Sequence, residues 1–168
     1  MRSRIVALLL LTILVPAAGH AAPAAPGFRV KTLDGGQTLD SRTLIGKKIL
    51  VLRFQASYCK PCGAESAPLG ALAERYRARG VEVWAIHVQD TAADARAWVE
   101  AQKAPYLVAL DPKLTIANRY GFKGAPYTVV VDRKGEIAWR LRGESAPTRL
   151  PRVLDVILAR EKQPSRKL

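Results

Sequence analysis

The sequence predicts an α/β domain: a central mixed sheet flanked by helices, with an N-terminal β-hairpin extension. Three observations predict it. A β-branched apolar run, Ile49–Phe54, has the composition of a strand buried in the middle of a sheet. Helical and strand patterns then alternate through residue 110, which is the signature of parallel strands joined by crossover helices. The chain closes with two strand patterns around Asp132-Arg133-Lys134-Gly135 and one amphipathic helix.

Taken in order, Met1–Ala21 reads as a secretory signal peptide. Arg2 and Arg4 precede an apolar run from Ile5 to Val15 broken only by Thr12, and Gly19-His20-Ala21 supplies small residues for cleavage. The run is shorter than the roughly 20 residues of an ordinary membrane span, so export to a bacterial periplasm is expected, with an uncleaved tether as the alternative. Cleavage leaves 147 residues, enough for one domain with a sizeable core. Residues 22–27 read as an Ala/Pro-rich linker, 28–160 as the domain and 161–168 as a basic tail.

Phe28–Leu33, the turn signal Asp34-Gly35-Gly36 and a return over Thr38–Leu44 form the predicted hairpin. After the strand at Ile49–Phe54, Leu69, Leu72, Ala73 and Tyr76 fall at helical spacing, so one helix is expected from Pro61 to Arg79, kinked by Pro68 and ended by Gly80. Val81–Val88 is a strand. Asp90-Thr91 offers a cap for a helix over Ala92–Gln102. Tyr106–Leu110 is a short strand and Leu114–Tyr120 a short helix. Tyr127–Val131 and Glu136–Leu141 form the hairpin. Leu150, Val153, Leu154, Ile157 and Leu158 define the last helix. No internal repeat is present.

The chemistry sits at Ala56-Ser57-Tyr58-Cys59-Lys60-Pro61-Cys62, which holds both cysteines of the chain. Three-residue spacing on the first turn of a helix puts two thiols on one face. The helix N-terminus favours thiolate over thiol, Lys60 adds positive charge, and Pro61 suits an early helical position. Cys59 is expected to be the attacking nucleophile and Cys62 the resolving thiol. A structural bridge across one turn closes too small a loop to stabilise much. A zinc site lacks its second pair of ligands. An exported chain that keeps only these two cysteines in an oxidising compartment keeps them for exchange. His87, the one histidine left after processing, fits a core or sheet-face role, as do Trp84, Trp98 and Trp139. No metal site is expected.

The processed chain carries 25 basic and 14 acidic residues, a net +11. That favours acidic partners or an anionic membrane surface. The charges are scattered without a nucleic-acid motif, and nucleic acid is not expected as a partner.

The chain resembles the exported TlpA/ResA-like thiol–disulfide oxidoreductases. The resemblance rests on Leu33-Asp34-Gly35, Leu44-Ile45-Gly46-Lys47, Phe54 through Cys62, Glu65, Tyr120-Gly121-Phe122-Lys123-Gly124-Ala125-Pro126-Tyr127-Thr128 and Val131-Asp132-Arg133-Lys134-Gly135. It implies a thioredoxin fold and disulfide exchange with protein thiols. No cofactor beyond the redox-active Cys59–Cys62 pair is implied. A monomer is expected, with a membrane electron donor as a further partner. It also implies that Pro126 follows a cis peptide bond and that Ala125 presents a backbone edge to substrate. Glu65 would tune the pair or relay a proton. Three departures matter, one being that Pro68 lies one residue further from Glu65 than the family pattern has it. Tyr58 stands where the family usually has Trp, which keeps an aromatic platform for substrate beside Pro61. Arg53 stands where thioredoxin-like proteins more often carry a carboxylate, so either Glu65 takes the proton or the Arg53 charge favours the thiolate.

Three functions follow: a periplasmic reductant, for example in cytochrome c maturation; an oxidant or isomerase; and a Cu(I)-handling protein using both thiols, which would want His87 as third ligand. The Thr-x-x-Cys arrangement of a peroxidase is absent.

Overall fold

The central strand, whose side chains alternate between two buried faces, organises the molecule. In the computed structural model, which describes residues 22–162, β3 (Ile49–Gln55) is buried at every position. Leu50, Leu52 and Phe54 point to one face of the sheet, where they meet Phe28, Leu39, Trp84, Tyr120 and Tyr127. Ile49 and Val51 point to the other, against Leu69, Leu72, Tyr76, Leu150 and Leu154 from the helices. Arg53 and Gln55 continue that second face as polar residues, each 1% exposed.

The strands on either side complete a five-stranded sheet in the order β5-β4-β3-β6-β7. β4 (Val81–Val88) and β5 (Leu107–Asp111) run parallel to β3, while β6 (Tyr127–Val131) and β7 (Ile137–Arg142) turn back antiparallel. This is a thioredoxin fold: a central mixed sheet with helices against it and a small antiparallel hairpin, β1 (Arg29–Lys31) and β2 (Thr38–Asp40), added at the N-terminal side. Residues 22–27 do not hang free. Ala25 N–H donates to Gly135 O and Ile137 N–H donates to Pro23 O, both at 2.8 Å, so this stretch runs beside the last hairpin. The expected signal peptide and residues 163–168 of the basic tail lie outside the described residues.

Most elements fall where the residue pattern puts them; three do not. The helix expected from Pro61 to Arg79 is two helices, α1 (Lys60–Ala64) and α2 (Ser66–Arg77), broken at Glu65 rather than kinked at Pro68. The proline acts at a distance: it has no N–H, and its ring collides with the carbonyl four residues back, on Ala64. The hairpin return ends at Asp40, whose carboxylate accepts the Arg42 N–H and opens a 3₁₀ turn over Ser41–Leu44. Leu114–Tyr120 is helical only as a 3₁₀ turn over Ala117–Tyr120, because Asp111 binds the N–H groups of Thr115, Ile116 and Ala117 and sets the chain path there. Two helices complete the chain, α3 (Ala92–Gln102) and α4 (Ala146–Lys162). The latter runs past the domain boundary expected at residue 160.

Candidate functional site

The site forms where β3 ends. Ala56 O accepts the Cys59 N–H at 3.1 Å, closing a turn that passes the chain from strand to helix. Cys59 is the N-cap of α1. Its sulfur accepts the Cys62 N–H at 3.3 Å, so it occupies the place where a helix holds negative charge. Cys59 and Cys62 form a disulfide across Cα atoms 5.2 Å apart. Cys59 is the more exposed partner, at 7% against 1% for Cys62. Lys60 is exposed at the first helical position and Pro61 follows it half-buried.

Around the pair, Ala56 and Trp98 complete a small buried cluster, against which Val99, Ala104 and Ala125 pack. The Ala125–Pro126 bond is cis, and Pro126 is buried. The fold therefore brings Cys59, Cys62 and Ala125 together, as expected from the sequence. Tyr58, 63% exposed, stands beside the disulfide, and its hydroxyl donates to Gln89 Oε1 at 3.5 Å.

Arg53 and Glu65, alternatives in the sequence, are one unit in the fold. Arg53 Nη2 lies 2.6 Å from Glu65 Oε2, and Nη1 donates to Thr128 Oγ1 at 3.0 Å. The other Glu65 oxygen accepts the Ser145 N–H ahead of α4. Burial pulls the Arg53 guanidinium down from its ordinary value, and the adjacent Glu65 carboxylate offsets part of that. The two groups set as alternatives from the sequence are thus ion-paired with each other. Glu65 sits at the junction of α1 and α2 and its carboxylate reaches the Arg53 guanidinium, so the two opposite charges offset each other.

His87 is buried in β4, the core position expected from its strand pattern, and both ring nitrogens are engaged: Nδ1 lies 2.7 Å from Asp90 Oδ2, and Nε2 lies 2.8 Å from Gln55 Nε2. Of the Asp90-Thr91 pair expected to cap α3, one member does it. Thr91 does so, accepting the Asp94 N–H, while Asp90 accepts both the backbone N–H and the hydroxyl of Ser57. One signal was present in the sequence: Gln55 and His87 are polar residues inside two largely apolar strands, and they prove to be register partners.

A disulfide capping a helix at the carboxyl end of a central strand, faced by a cis-proline loop, defines a thioredoxin-fold thiol–disulfide oxidoreductase. The chain belongs to the AhpC/TSA family, whose model matches residues 21–140. It is 28% identical over 133 residues to the thiol-disulfide oxidoreductase ResA of Bacillus thuringiensis subsp. konkukian, covering 79% of this chain and 76% of that one. It is 33% identical over 121 residues to the thiol:disulfide interchange protein DsbE of Tatumella citrea, covering 71% and 63%. Among solved structures it is similar to a Chlorobium tepidum protein described as a candidate thiol:disulfide interchange protein DsbE. The TM-score is 0.75 at 26% identity, over 82% of this chain and 96% of that one.

Proposed function

We propose that the protein works as an exported reductant of protein disulfides in the periplasm, using the Cys59–Cys62 pair and no other cofactor. The Cys59 thiolate attacks one sulfur of a partner disulfide, and the released partner thiolate takes up a proton. Cys62, deprotonated, then attacks the Cys59 sulfur of the mixed disulfide. The second partner thiol leaves, two electrons have passed to the partner, and the Cys59–Cys62 disulfide remains. A dithiol donor, taken here to be a membrane protein, restores the reduced pair.

The observation that carries this reading is the position of Cys59 at the helix N-cap, more exposed than Cys62, beside the Ala125–Pro126 edge. That edge is offered as the place where a substrate segment lies, with Tyr58 and Pro61 as its flanks. The reductant direction is supported by the Arg53–Glu65 ion pair, since a neutralised guanidinium adds little to thiolate stability. The oxidant reading keeps Lys60 and the oxidising compartment in its favour. A Cu(I) carrier would want His87, and both nitrogens of that ring are engaged. Clients in cytochrome c maturation are proposed from the TlpA/ResA resemblance alone. Among the described residues no helix is long and apolar enough to cross a membrane.

The assignment of roles is tested by substitution. Cys59→Ser abolishes turnover of a protein disulfide, and Cys62→Ser accumulates mixed disulfides with clients. An active Cys59→Ser variant together with a Cys62→Ser variant that traps nothing contradicts the scheme.

A further inference from the structure

Gln55, His87, Asp90 and Ser57 form a continuous chain of hydrogen bonds behind the disulfide. It leaves β3 at Gln55 and crosses to the register partner His87 on β4. It continues through Asp90 and returns to the first strand's own continuation at Ser57, two residues before Cys59. With a carboxylate at Nδ1, that nitrogen carries the ring proton, and Nε2 offers its lone pair to the Gln55 amide. Asp90 accepts the Ser57 N–H at 2.8 Å and the Ser57 hydroxyl at 2.7 Å. Gln55, His87 and Asp90 are 1%, 0% and 6% exposed. Trp98 stands edge-on to His87 with ring centroids 4.9 Å apart, and it also packs in the cysteine cluster.

The loop that supplies Asp90 is itself unusual. Gln89 has φ 55°, a left-handed conformation that a side chain larger than glycine adopts at a cost. Its amide receives the Tyr58 hydroxyl. Two consecutive residues of this loop thus hold two consecutive residues of the active-site turn. A buried polar network of this kind adds little net stability, because desolvation offsets its bonds. What it adds is geometry, and the geometry it touches is the turn that seats the Cys59 sulfur on the Cys62 N–H.

We propose that Ser57, Asp90 and His87 are positioning residues for Cys59, fixing the turn that keeps its sulfur at the N-terminus of α1. This rests on the reading of Cys59 as the nucleophile. Other charged groups on the surrounding elements include Lys60 on α1, Arg53 with Glu65, Asp94, Arg96 and Glu100 on α3, Lys103 after it and Lys123 ahead of Ala125. None of them is altered in the test.

The test is the pH dependence of Cys59 alkylation by iodoacetamide in the reduced full chain, followed by mass. Ser57→Ala raises the midpoint toward the free-thiol value of about 8.5. A rise of half a unit to one unit is expected, and the rate well below the midpoint falls about three- to tenfold. Ser57→Thr keeps the hydroxyl and the wild-type midpoint. Asp90→Asn separates geometry from charge: positioning raises the midpoint, whereas loss of a nearby negative charge lowers it. An unmoved profile in Ser57→Ala, with or without a loss of stability, overturns the proposal, as does a lowered midpoint in Asp90→Asn. If Asp90→Asn does not fold, the two Ser57 variants decide. Alkylation needs no client, so a wild-type protein that reduces no protein disulfide contradicts the reductant reading while leaving this result intact.

Discussion

The two faces of one sheet are built on opposite rules. On the hairpin face, Leu50, Leu52 and Phe54 meet Phe28, Trp84, Tyr120 and Tyr127, and aromatic rings pack among the aliphatic side chains, with Phe28 edge-on to both Trp84 and Tyr120. On the helix face, the same strands begin apolar and turn polar toward their carboxyl ends: Ile49 and Val51 are followed by Arg53 and Gln55, and Val83 and Ala85 by His87. Burial of apolar area stabilises the first face at about 25 cal/mol per Å². The second face carries charges and amides whose desolvation largely offsets their bonds. The difference locates the site: polar groups are buried where the cysteines need to be held, and nowhere on the opposite face does β3 carry one.

Substitutions on each face separate these rules. Phe28→Ala removes a buried aromatic far from the disulfide and lowers the unfolding free energy by about 3–5 kcal/mol. The Cys59 alkylation profile stays where it is; a shifted profile would mean that the faces are not independent. Glu65→Gln leaves the Arg53 charge buried without its partner, and a loss of about 3–5 kcal/mol is expected by chemical denaturation. Arg53 Nε already finds no protein acceptor among the described residues. The double variant Arg53→Met, Glu65→Leu therefore recovers most of that loss. If it does not, the pair holds the fold by more than mutual neutralisation.

The smallest effect concerns pH. Burial pushes His87 below its ordinary 6.5, with the bond to Asp90 pulling the other way. The unfolded chain then binds a proton that the folded chain refuses, so this contribution is complete above about pH 6.5 and is lost as pH falls toward the folded value. The slope is at most about 1.4 kcal/mol per pH unit. His87→Gln flattens this part of the stability–pH curve; an unchanged curve would mean that the folded and unfolded chains bind this proton equally.

Much of the fold was legible because strands and helices announce themselves locally. Val81–Val88, Ala92–Gln102 and Tyr127–Val131 coincide with their elements residue for residue. The helix break was misplaced because Pro68 acts through a carbonyl a turn away. At the site, the cysteine pair was legible from its spacing together with its place between an apolar strand and a helix start. The Arg53–Glu65 bond was not, since it depends on a bend in the chain that only the packed structure makes. The Gln55–His87–Asp90–Ser57 chain was hidden for a related reason: its members come from two strands and two loops, and only strand register brings them together.

The reduction potential of the Cys59–Cys62 pair, measured by equilibrating the purified protein in graded thiol buffers, tests the central claim most directly. With Arg53 neutralised by Glu65, the pair should lie at about −250 mV or lower, among thioredoxin-like reductants. A value of about −120 to −150 mV would place it with strong oxidants and contradict the direction of electron flow proposed here.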